Sequence, residues 1–105
     1  MSSLRRYEIL LPLRFNDGRP VPDEYIGQAL DELRDKFDAV SWETQIIHGS
    51  WRHEGQVFED DLLRAWVNVD DTPANRQFFV HFKERLEVKF QQIEISISII
   101  PVDTL

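Results

Sequence analysis

Along Val40–Val69, VSWETQIIHGSWRHEGQVFEDDLLRAWVNV, apolar and polar positions alternate on both sides of Glu54-Gly55. A two-residue turn there pairs His53 with Gln56 and predicts one long β-hairpin. Counting outward places Val40 opposite Val69, Trp42 opposite Val67, Thr44 opposite Ala65 and Ile46 opposite Leu63. Strand side chains alternate, so these four pairs share one face. The other face carries Glu43–Trp66, Gln45–Arg64, Ile47–Leu62 and Trp51–Phe58. A slip of one residue would mix the two sets, so burial of one face pins the register. Gly49 is where a bulge would reset the faces, moving Trp51 and Phe58 first.

The flanking segments each read as a strand and a helix. Arg6–Leu13 predicts a strand with Tyr7, Ile9, Leu11 and Leu13 on one side. Asn16-Asp17-Gly18 is turn chemistry, and Pro20 and Pro22 lead to a helix start. From Asp23 to Phe37, Ile26, Ala29, Leu30, Leu33 and Phe37 recur at helical spacing, with Asp23 and Glu24 at the positive end of the helix dipole. After the hairpin, Thr72 predicts an N-cap and Pro73 the first helical position. Phe78, Phe79, Phe82, Leu86 and Phe90 form the apolar stripe of this second helix. Ile93–Ile100 then alternates isoleucine with polar residues, the pattern of a strand with one wet face, and Pro101 ends it.

The resulting order is β–α–β–β–α–β. Right-handed crossovers and the central hairpin leave one arrangement, an α+β ferredoxin-like sandwich. It has a four-stranded antiparallel sheet, strand order 4-1-3-2, with both helices on one face. At 105 residues, 1–105 form a single domain large enough for its own core. With no cysteine, thiol nucleophiles, disulfides and Cys-type zinc sites are excluded. The net charge of −7 is spread along the chain and opposes nucleic-acid binding. The start, MSSLRRYEILLPL, is interrupted by Glu8 and Pro12 and reads as neither a signal peptide nor a membrane span. Cytoplasmic residence with no membrane association is the expectation.

The Asp17-Gly18 turn, Gly49-x-Trp51, Gly55, Glu59 and Phe90-x-Gln92-x-x-Ile95 together resemble a family of small, uncharacterised bacterial domains. The resemblance covers most of the chain and implies a ferredoxin-like fold without a defined activity. Many members of that family carry export signals, and this chain shows none.

Candidate chemistry is sparse. His48, His53, Glu54, Glu59, Asp60 and Asp61 gather near the hairpin tip, yet His48 and His53 point to opposite faces. Only His48 and Asp61 pair, too few ligands for a metal centre. No nucleophile elbow, phosphate loop or H-E-x-x-H helix is present, so no catalytic residue, metal or cofactor is assigned. RNA-recognition modules share the element order, but their aromatic platform is missing here.

The helix-free sheet face remains. Leu10, Ile47, Trp51, Phe58, Leu62, Arg64 and Trp66 fall on it, an apolar strip that suits self-association as a homodimer or a protein partner. A second expectation is a small-molecule site at such a dimer interface, lined by Arg64, Trp51, His48 and Asp61. Arg64 would grip an anionic ligand there. Glu59 and Gln92 are left as candidate anchors of the hairpin and final strand.

Overall fold

The computed structural model of the protein describes residues 3–105. Its elements are β1 (Leu4–Pro12), α1 (Asp23–Phe37), β2 (Ser41–Trp42), β3 (Ile47–His53), β4 (Gln56–Asp70), α2 (Pro73–Lys89) and β5 (Ile97–Val102). The sheet is antiparallel and runs β2-β4-β1-β5, with β3 also pairing β4 on the outer side. Both helices cover one face. Tyr7, Ile9 and Leu11 of β1 and Ala65, Val67 and Val69 of β4 join one buried cluster with residues of α1 and α2. The Tyr7 and Phe79 rings stack at 3.9 Å between centroids, and Phe82 and Phe90 are fully enclosed.

Local signals account for the helix ends. Thr72 Oγ1 accepts the Asn75 N–H at 3.1 Å, with Pro73 inside the first turn. At the end of α1, Asp38 adopts φ 64° and donates its N–H to Arg34 O. A short acidic side chain tolerates this left-handed cap, a stop signal not read from the sequence. The tight turn at Glu54-Gly55 has both residues at positive φ, 50° and 78°, and His53 lies opposite Gln56 as expected.

The hairpin departs from expectation further out. The sheet has five strands rather than four, because the predicted second strand is split into β2 and β3. From Ile47 to His53 the pairing follows the turn, including Gly49 opposite Asp60 without a bulge. Beyond the break, Ser41 lies opposite Trp66 and Trp42 opposite Ala65. The expected pairs Val40–Val69, Trp42–Val67, Thr44–Ala65 and Ile46–Leu63 are therefore not formed. Glu43 meets Arg64 instead of Trp66, and Gln45 does not meet Arg64. Trp42 and Ile46, expected beneath the helices, are each 49% exposed.

The final strand also shifts. It begins at Ile97 rather than Ile93 and continues through Pro101 instead of stopping there. Ile95 is buried in the connection before it, whereas Ile93 is 47% exposed. Alternation alone does not set strand ends; the reach of the neighbouring ladder does. β1 pairs β5 only as far as Ile9 with Ile97, with one more bond from Leu10 N–H to Ser96 O.

Candidate functional site

The side of the sheet away from the helices is built by the even-numbered positions of β1 and β4 and the odd-numbered positions of β3. Ile47 lies opposite Leu62, Trp51 opposite Phe58, and Leu10 opposite Arg64. Leu10, Ile47, Trp51, Phe58, Leu62, Arg64 and Trp66 all fall on this side, and each is half-buried by its neighbours. Val67, Val69 and Ala65 lie buried on the opposite side, so the division into a helix-backed and a bare face holds.

Charge is interleaved with the apolar strip. The Arg6 guanidinium sits 5.7 Å from the Trp66 ring centroid, and its Nε donates to Asn68 Oδ1 at 3.0 Å. Arg64 Nη1 reaches Glu43 Oε1 at 3.4 Å, a long and loosely held pair. Arg64 Nε is shielded from solvent and finds no acceptor among the described residues. A guanidinium in this state holds an unmet donor beside Leu10 and Trp66.

Trp51 is the most constrained aromatic of the strip. Its indole N–H donates to Asp60 Oδ2 at 2.7 Å, and its ring stacks on Phe58 at 4.8 Å. The hairpin arm runs past the end of β1, and a cavity of about 410 Å³ opens where it leaves the sheet. Leu10, Leu62 and Trp51 line it from the sheet, and Lys83, Gln92 and Glu94 line it from α2 and the following connection. Gln92 is buried, its Nε2 donating to Arg14 O and Phe90 O, so it ties this connection to the end of β1. Burial alone would lower the pKa of Lys83. Hydrogen bonds to Glu87 at 3.0 Å and Glu94 at 3.2 Å outweigh burial and hold it above the ordinary lysine value.

His48 and Asp61 are cross-strand partners on the other side of the arm. His48 Nδ1 lies 2.7 Å from Asp61 Oδ1, and Arg14 Nε donates to Asp61 Oδ2 at 3.2 Å. The His48 hydrogen bond first, and the Arg14 one second, hold the Asp61 carboxyl below the ordinary aspartate range. The imidazole is largely solvated. The four residues expected to share a ligand pocket therefore do not converge. Trp51 lines the cavity, Arg64 lies further along the same face, and His48 and Asp61 face away from both. Odd spacing between His48 and Trp51 along one strand already requires this. The cavity's contributors from α2 and its exit, Lys83 and Glu94, were not singled out from the sequence. Their only local trace is the Lys83–Glu87 spacing on one helix face.

Among the described residues no group of three or more histidine, aspartate or glutamate side chains is placed to hold a metal, and no helix is long and apolar enough to cross a membrane. No family model and no curated protein matches the chain. Among solved structures, the chain is similar to a de novo designed protein with a ferredoxin fold, determined by solution NMR. The two share 13% identity and a TM-score of 0.36, over 100% of this chain and 88% of that one. A likeness at that level adds nothing to the strand order read directly from the ladders.

Proposed function

We propose that this is a non-catalytic interaction domain of ferredoxin-like build, which docks a second copy of itself through the helix-free face of the sheet. The observation that carries the reading is the strip of Leu10, Ile47, Leu62 and Trp66, interleaved with Arg64 and Glu8, on a face no helix covers. Contiguous apolar surface of this kind costs free energy in water and is withdrawn by association. The same face carries Arg6 and Arg64 with Glu8 and Glu43, both signs of charge on one patch. A two-fold interface needs such self-complementarity, since each residue type must meet its counterpart on an identical surface.

Cytoplasmic residence is part of this proposal. So is kinship with the small bacterial domains whose residues the chain resembles. Gly49, Trp51, Gln92 and Ile95, four of the residues behind that resemblance, line one cavity, which gives them a common physical setting.

Sedimentation of the parent and of Trp66→Glu tests the reading. A parent dimer that becomes monomeric on placing a carboxylate in the strip supports it. A monomeric parent across the accessible concentration range retires it.

A further inference from the structure

The cavity beside Trp51 has a chemistry that the docking proposal does not use. Its volume of about 410 Å³ lies within the roughly 300–1,000 Å³ of small-molecule sites. Leu10, Leu62, Ile95 and Ile97 supply apolar lining, and Trp51 an aromatic wall. Gly49 lies in the lining strand, where an added Cβ would come within 3.4 Å of Leu62 Cδ1. Any larger side chain there takes up space at the cavity wall.

The polar lining is rich in acceptors. The Trp51 N–H is committed to Asp60, so the indole offers its ring and not its donor. Gln92 commits Nε2 to two backbone carbonyls, leaving Oε1 as its acceptor. Asp60 and Glu94 add carboxylates. Lys83 is the one cationic side chain lining the cavity among the described residues, and Glu87 and Glu94 already neutralise it. An apolar cavity with an aromatic wall, surplus acceptors and an excess of negative charge selects for positive charge on a hydrocarbon body.

We propose that this cavity binds a small organic cation, an ammonium group carried on a compact hydrocarbon. The cation meets Trp51 and the Asp60 and Glu94 carboxylates, while the body lies on Leu10, Leu62 and Ile95. The site is complete within one chain, but it shares Leu10 and Leu62 with the docking strip, so a second copy seated there competes with the cation.

Amide and indole NMR shifts, followed on adding phenethylammonium, 2-phenylethanol or 3-phenylpropionate, test the proposal. The ammonium is expected to shift the Gly49 amide and Trp51 indole signals saturably, and the alcohol and carboxylate to do so weakly or not at all. Glu94→Gln, on the exposed rim, is expected to weaken the ammonium about threefold to tenfold by removing one nearby charge. Gly49→Val is expected to abolish binding with the rest of the spectrum intact. If Gly49→Val fails to fold, Glu94→Gln and the three-probe comparison still decide. Equal or tighter binding of the alcohol or carboxylate overturns the proposal, and so does an absence of shifts at Gly49 and Trp51 with every probe. Repeating the titration in Trp66→Glu, which removes docking but leaves the cavity lining intact, is expected to keep or strengthen the ammonium shifts, so failure of docking and failure of this site are distinguishable.

Discussion

Glu43 lies opposite Arg64, its N–H donating to the Arg64 carbonyl at 3.0 Å, whereas Ile47 lies opposite Leu62. Between these pairings the outer strand holds Thr44, Gln45 and Ile46, while β4 holds only Leu63. Two register-setting devices therefore disagree. The Glu54-Gly55 turn fixes one end of the ladder, and the backbone pairing of Ser41, Trp42 and Glu43 with Trp66, Ala65 and Arg64 sets the other. The surplus chain is left out between them as the break separating β2 from β3. Because the offset is even, side chains on both sides of the break keep their faces.

Removing Thr44 and Gln45 together is expected to join β2 and β3 into one strand with the fold retained. Removing Thr44 alone makes the offset odd and sets the two halves of the strand against each other. The single deletion is expected to be the more destabilising, by about 1–3 kcal/mol in denaturant unfolding. Equal loss from both deletions would contradict the two-register account.

Phe82 is fully enclosed between the sheet and α2, stacking near Phe78 at 5.7 Å. Phe82→Ala is expected to cost about 3–5 kcal/mol, the lost transfer energy plus the cavity left behind. Val88, on the same helix but 80% exposed, makes the control. Val88→Ala is expected to stay within about 0.5 kcal/mol of the parent. Chemical denaturation of the two variants checks the assignment of the helix faces.

Pro101 guards the outer edge of β5. The bond from Leu10 N–H to Ser96 O sets the alternation of the ladder, so Ile97 and Ile99 point their N–H groups outward. Pro101 is on the same outward phase, where a missing N–H costs the sheet nothing and denies an incoming strand one bond. Pro101→Val is expected to raise the concentration-dependent light scattering of the protein. Unchanged scattering would mean that the edge is protected by other means.

Asp61 is expected to titrate below the ordinary aspartate range when followed by carboxyl NMR shifts, because His48 and Arg14 hydrogen-bond its ionised form. Its folded pKa is lowered, so its contribution to stability is present above the unfolded aspartate value and is lost as pH falls through the folded one. Arg14→Gln and His48→Gln are each expected to raise the Asp61 midpoint, His48→Gln by more. Asp61→Asn removes this part of the acid sensitivity.

The sequence by itself determined the two helices and their place between strands, the tight turn, the Thr72 cap and the division of β4 into buried Ala65, Val67 and Val69 against outward Leu62, Arg64 and Trp66. These follow from local chemistry and period-two alternation, which act within a few residues and need no partner. Where β2 breaks, how far β5 runs and what lines the cavity were decided only in three dimensions. Those features depend on how two conflicting registers are reconciled, on the reach of a neighbouring strand, and on the meeting of Trp51 with Lys83 and Gln92 from distant parts of the chain. Pairings of that kind are settled by packing, and alternation along one strand carries no record of them.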